Sequence, residues 1–164
     1  MPMIDHITDE QADLIRNARV FFVASADPSM GDGPNGEGPV NLSPKGAADL
    51  QVVDQHTIAY FDYSGSGNET ARHTAAGGPI TVMVTSFDED AAIVRLYGTA
   101  KSLPLEESVL ADQAEALRAV EMPTPERQVI EISVDRTQTS CGYGVPLYEY
   151  KGDRSRDERG RRYK

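Results

Sequence analysis

Short runs in which apolar residues alternate with polar ones, separated by Gly, Pro and Asp, recur along the chain, and this two-residue period predicts strands. Six stand out: VFFVASA (20–26), VNLS (40–43), HTIAYFDY (56–63), ITVMVTSF (80–87), AAIVRLYGTAKSL (91–103) and RQVIEISVDRTQ (127–138). In the third, Ile58, Tyr60 and Asp62 alternate with Ala59, Phe61 and Tyr63; in the last, Val129, Glu131 and Ser133 alternate with Ile130, Ile132 and Val134. Asp88-Glu89-Asp90 turns the fourth strand into the fifth as a hairpin. DPSMGDGPNGEGP, between the first two strands, is so rich in Gly and Pro that a long flexible loop is expected there.

Three segments carry the helical period instead. Thr8-Asp9-Glu10-Gln11 matches a capping box, and Leu14, Ile15 and Ala18 recur behind it. A short helix is expected from Glu69 to Ala76, closed by GGP. PLEESVLADQAEALRAVE offers Pro104 at the first helical position and Leu105, Val109, Leu117 and Val120 near one face, with an end before MPTPE. Strands outnumber helices and most connections are too short for parallel crossovers. The pattern therefore predicts a mainly β fold, an antiparallel barrel closed or nearly closed, with flanking helices.

At 164 residues the chain is the size of one ordinary domain. No apolar run approaches a membrane span, and MPMIDHITDE lacks the basic start and apolar stretch of a signal peptide. The lone Cys141 has no intrachain partner and no metal-ligand spacing around it. A cytoplasmic protein is expected. The net charge of −10 is uneven, because seven of the sixteen Lys and Arg residues fall within positions 151–164. The acidic body repels nucleic-acid phosphates, and residues 153–164 read as a solvated, flexible tail after a single unit spanning 1–152.

With so few cations in the body, a charge inside a strand needs a reason. GSGNETARH (65–73) is one residue short of GxGxxG, with Thr70 where the third glycine would stand, but a dinucleotide fingerprint needs a parallel βαβ unit that the flanking strands do not offer. Asn68 can cap a helix starting at Glu69, whose N-terminal dipole favours an anion by roughly 0.3–1 kcal/mol. A doubly charged phosphate would need cations as well, and Lys45 in VNLSPKG and Arg95 in AAIVRLYG are the candidates. Other chemistry is not visible. His6, His56 and His73 show no metal-ligand spacing, with His73 read as a helix-face partner of Glu69, and GxSxG is absent.

PVNLSPKG, YFDYSGSGNETARH, RLYGTA and TQTSCGYGVP, in that order, resemble the pyridoxamine 5′-phosphate oxidase-like group of flavin-binding split barrels over residues 10–152 or so. The resemblance implies a six-stranded antiparallel split β-barrel of Greek-key type, a homodimer, and FMN at the subunit interface acting on a small-molecule substrate. Lys45 matches the group's phosphate lysine, while Val40 replaces its arginine and Asn68, Glu69 and Thr70 stand at its Ser-Arg-Lys run. The positions it implies for the cofactor are Asn41, Leu42, Ser43, Lys45, Asp62, Ser66, Asn68, Glu69, Thr70 and Arg95, with Cys141 and Tyr143 near the ring and no residue assigned to catalysis. Arg95 and the donors of Ser43, Ser66, Asn68 and Thr70 would compensate for the missing cations, and Glu69 would pair with Arg72, His73 or a partner-chain cation.

SCGYGVPLYEYKGDR stands where the true oxidase carries its substrate-binding tail, so pyridoxamine phosphate is not the expected substrate. An FMN-dependent oxidoreductase is the first reading. A deazaflavin enzyme and a non-catalytic flavin- or haem-binding protein remain alternatives, since fold alone does not fix function.

Overall fold

The computed structural model describes residues 2–46, 49–63, 67–119 and 127–153. Ser66, Val120 and the tail from 154 onward, all carrying expectations above, lie outside the described residues.

The chain begins with α1 (Asp9–Asn17), and the capping box forms as its sequence predicts. Thr8 Oγ1 accepts from Gln11 N while Gln11 Oε1 accepts from Thr8 N, so two otherwise orphaned donors are satisfied. Seven strands follow among the described residues: β1 (Phe21–Ala26), β2 (Val40–Lys45), β3 (Gln51–Asp54), β4 (Thr57–Asp62), β5 (Ile80–Thr85), β6 (Ala92–Leu103) and β7 (Gln128–Cys141). α2 (Glu69–Ala75) lies between β4 and β5, and α3 (Ala111–Ala119) between β6 and β7. All described pairings are antiparallel, in the order β2-β1-β5-β6-β7-β4-β3.

The seventh strand is β3, whose QVVD is too short to announce itself by period and is recruited by the hairpin with β4. β2 and β3 are the two edges of the sheet. An edge strand tolerates Pro44, which lacks the N–H a central ladder would require. The sheet curls around one apolar cluster, in which Phe21, Val23, Ile58, Tyr60, Val82, Val94, Leu96, Ile130 and Ile132 are buried together with Ile15 of α1 and Ala71 of α2. A second cluster forms on the opposite face of β4 and β7, where Ala59, Phe61 and Val129 meet Leu105, Leu110 and Ala114. The curl leaves the barrel open rather than closed, as in a split barrel.

Local chemistry accounts for the departures from the predicted elements. The third helix does not run from Pro104: a 3₁₀ turn at Leu105–Glu107 comes first. Ser108 Oγ donates to Leu105 O and accepts from Leu110 N, so the hydroxyl competes with the helical ladder. That break shifts the helical phase and leaves Val109, expected on the apolar face, exposed. β7 runs beyond its predicted end because Thr137–Cys141 continue the ladder along Ala92–Leu96. The loop between β1 and β2, expected to be merely flexible, is laced by Asp27 N→Pro39 O and Gly33 N→Glu37 O and reaches α2 through a Glu37–Arg72 ion pair. His73 does not face solvent beside Glu69. Its ring is 1% exposed, with Nδ1 2.9 Å from Ser25 Oγ, because α2 turns that face into the barrel.

Candidate site in the seam of the split barrel

Strand periodicity sends Asn41, Ser43 and Lys45 to one face of β2 and the more exposed Val40, Leu42 and Pro44 to the other. The first set faces the end of β4 and the start of α2, across the gap where a closed barrel would have paired its edges. The gap is a polar cleft of about 330 Å³ lined by Asn41, Ser43, Lys45, Asp62, Asn68, Glu69 and Thr70, among others.

Two hydrogen-bond chains cross it. Lys45 Nζ donates to Asp62 Oδ1 at 3.2 Å, joining strands that share no ladder. Gln128 Nε2 donates to Asp62 Oδ2 at 2.7 Å and to Asn68 Oδ1 at 2.9 Å, while Gln128 Oε1 accepts from Ser102 Oγ at 2.6 Å. On the other wall Ser43 Oγ donates to Asn41 Oδ1, and Asn41 Nδ2 donates to Thr70 Oγ1 at 3.2 Å. Arg127 Nη1 donates to the Gly67 carbonyl at 2.7 Å.

Tyr60 lies beneath the cleft. Its ring packs edge-on against Phe21, and Lys45 Nζ stands 5.8 Å from its centroid, within cation–π range. Burial drives the phenol well above its ordinary pKa, the Asp62 carboxylate adds to the rise, and the nearby Thr70 hydroxyl opposes it only in part. Tyr60 Oη makes no hydrogen bond by distance and angle to any described residue. Removing a buried hydroxyl that bonds nothing relieves a desolvation cost. Tyr60→Phe is therefore expected to hold or raise the melting temperature, and a loss of several degrees in thermal denaturation would show that the hydroxyl is bonded.

The seam brings together Asn41, Ser43, Lys45, Asp62, Asn68, Glu69 and Thr70. It does not gather Leu42, Arg95, Cys141 or Tyr143. Leu42 lies on the outer face of β2 and is 68% exposed. Arg95 pairs in register with Gln138 and donates to Ser140 Oγ at 2.8 Å, and it alternates with the buried Val94 and Leu96, which sets it on the outer face of the sheet. Cys141 ends that strand, exposed, and Tyr143 beyond it is 92% exposed. Asn68 holds the N-cap position of α2 but makes no side-chain cap, because its Oδ1 is taken by Gln128. Glu69 pairs with neither expected neighbour, since Arg72 is drawn to Glu37 and His73 to Ser25. Its carboxylate folds over Gly67, where a Cβ would collide with it.

Gln128, Arg127 and Tyr60 were not singled out from the sequence. The signal for the first two was the pairing of β4 with β7, which sets Gln128 opposite Asp62. A second groove, of about 1070 Å³, lies between α1, the β5–β6 hairpin and residues 148–152, and contains none of the expected site residues. No group of three or more potential metal ligands exists among the described residues, and no described helix is long and apolar enough to cross a membrane.

The charges of the seam do not match a phosphate dianion. Among the described residues its one lining cation, Lys45, is already paired with Asp62, Glu69 adds a second carboxylate, and Arg127 is engaged by the Gly67 carbonyl. The amide and hydroxyl donors fit the uncharged part of a flavin side chain, whose hydroxyls both donate and accept.

The family described as pyridoxamine 5′-phosphate oxidase matches residues 7–141. A pyridoxamine 5′-phosphate oxidase family protein of Aspergillus flavus, ustO, is 32% identical over 161 residues, covering 96% of this chain and 61% of its own length, so the chain spans less than two thirds of that curated relative. Among solved structures, HupZ of group A Streptococcus superposes with a TM-score of 0.62 at 24% identity, over 82% of this chain and 99% of its own. An FMN-binding protein of Syntrophomonas wolfei does so at 0.53 and 16%, over 85% and 89%. At these identities the structural likeness bears on the fold, and the fold agrees with the sequence match: the chain belongs to the pyridoxamine 5′-phosphate oxidase family.

Proposed function

We propose that this chain is a flavin-dependent oxidoreductase acting on a small molecule other than pyridoxamine phosphate, as a cytoplasmic homodimer whose residues 1–152 form one unit with the flavin at the subunit interface. The observation that carries the reading is the polar seam cleft, in a family with an FMN-binding structural neighbour. When bound, a flavin supplies hydride or electron transfer. The protein supplies anchoring, orientation and electrostatics. Asn41, Ser43 and Thr70 are positioned to hold hydroxyls of the flavin side chain, and Lys45 is fixed in place by Asp62. FMN is the form that the family resemblance favours, and the unphosphorylated flavin is the form that the seam's charges favour.

The test is spectroscopic. The purified protein is expected to show a flavin absorbance spectrum, or to quench the fluorescence of added flavin, and NADPH is expected to bleach the bound flavin at a catalytic rate. A colourless protein that leaves every added flavin unquenched would overturn the reading, and flavin binding without turnover would leave a carrier rather than an enzyme.

The homodimer is supported by the outer face of the sheet. Leu42, 68% exposed, continues in register into Ala24, Thr81 and Tyr97, with Phe22, Met83 and Arg95 in the row on one side and Val40, 62% exposed, opposite Ala26 on the other. An apolar sheet face of this breadth fits a second copy. Leu42→Asp is expected to convert dimer to monomer in analytical ultracentrifugation and to lower flavin retention at least tenfold, a loss of about 1.4 kcal/mol. Arg95→Ala, near the centre of the face, should act in the same direction more weakly. A wild-type monomer that retains flavin would overturn the interfacial site.

A further inference from the structure

The seam carries the wrong charge for the group that would most often occupy it in a flavin-binding barrel. Lys45 and Asp62 are 3.2 Å apart, and the second Asp62 oxygen is held by Gln128, so the Lys45 charge already has a fixed counter-charge beside it. Glu69 also lines the cleft and is paired with no cation among the described residues. A phosphate here would meet a net negative charge among the described residues, because the Lys45–Asp62 pair cancels and Glu69 is left over. The remaining groups are amides and hydroxyls. Asn41, Ser43 and Thr70 are already aligned in a chain of alternating donors and acceptors, the pattern that a run of alcohol groups requires.

We infer that the seam selects an unphosphorylated flavin, holding its neutral polyhydroxyl side chain and disfavouring the phosphate of FMN. The inference rests on the flavin reading above and names the form of the cofactor. Glu69 is the discriminating residue: it lines the cleft and makes no ion pair among the described residues whose loss would unfold the chain. Its function is repulsive, since discrimination can be built by penalising the wrong ligand as well as by contacting the right one.

Riboflavin and FMN titrated into the full-length protein, followed by flavin fluorescence quenching, provide the test. Riboflavin is expected to bind about tenfold or more tightly than FMN at low ionic strength, with the gap narrowing as salt is added. Glu69→Gln should shrink the gap chiefly by improving FMN binding, and Glu69→Lys should reverse the order of the two flavins. FMN binding as tightly as riboflavin to the wild-type protein, or a preference indifferent to both Glu69 variants, would overturn the inference. If neither flavin binds, the proposed function fails, and the seam is then judged by ribitol and inorganic phosphate. Shifts of the Asn41, Ser43 and Thr70 amide resonances with ribitol and not with phosphate would uphold a polyol site, whereas shifts with phosphate, or with neither, would overturn it.

Discussion

Replacing Gly98 by alanine will lower the melting temperature of this protein by about 6–12 °C, the consequence of roughly 3 kcal/mol at about 2–4 °C per kcal/mol for a chain of this size. The register between β6 and β7 shifts between Tyr97 and Gly98, so two residues of one strand crowd against the other. A Cβ added there would run into the carbonyl oxygen of Ser133, with the Ser133 carbonyl carbon 2.9 Å away and Val134 Cα 3.3 Å away. All three are backbone atoms of the neighbouring strand and cannot rotate aside. Relief requires the strands to separate where they run longest together, and Val134 and Ile132 of β7 belong to the main core. Thr99→Ala, one residue on at an exposed position, is the control and should cost less than about 0.5 kcal/mol. Equal melting temperatures for the two variants would show that the bulge yields freely.

Asp62→Ala has the next largest expected effect, a loss of about 2 kcal/mol measured by chemical denaturation. Removing the carboxylate strands the Lys45 ammonium and one donor direction of Gln128 together. Breaking a fully buried ion pair costs about 3–5 kcal/mol. Here the Asp62 side chain is 8% exposed but Lys45 is 28% exposed, so water recovers part of the loss. The sharper test is the double change Lys45→Met with Asp62→Leu. It removes both charges while retaining bulk and should recover most of the lost stability, giving a coupling energy of 1 kcal/mol or more in the double-mutant cycle, a magnitude typical of contacting residues. Additive effects would mean that the pair does not join β2 to β4 energetically.

The fold was readable because most of its elements are specified by neighbours in sequence. Thr8 and Gln11 are three residues apart and form their capping box within one helical turn. The strands of the barrel wall bury Phe21, Val23, Val82, Val84, Val94 and Leu96 at the two-residue period the sequence displays. What escaped was set by competition or recruitment. Ser108 diverted the backbone from the helix expected at Pro104, and β3 exists because β4 offers it a ladder.

The candidate site divides in the same way. Asn41, Ser43 and Lys45 share a face because they are two residues apart, and the absence of a second and third cation is a property of Val40, Asn68, Glu69 and Thr70 as residue types. Leu42 could be separated from them by strand period alone. Gln128 could not be recognised as the hub behind Asp62 without the β4–β7 pairing, which joins positions 66 residues apart. Arg95 likewise needed the strand order to place its guanidinium on the outer face with Ser140, away from the seam.

The sequence by itself therefore determined the strand faces, the helix cap and the inventory of charges, because these depend on residue type and on spacings shorter than a helical turn. Only the tertiary structure decided that the sheet stops short of closure, that Lys45 spends its charge on Asp62 across the gap, and that His73 turns inward to Ser25 rather than toward Glu69. The physical reason is that such contacts are chosen by the curl of the whole sheet, whose long-range pairing brings together side chains that no local pattern connects.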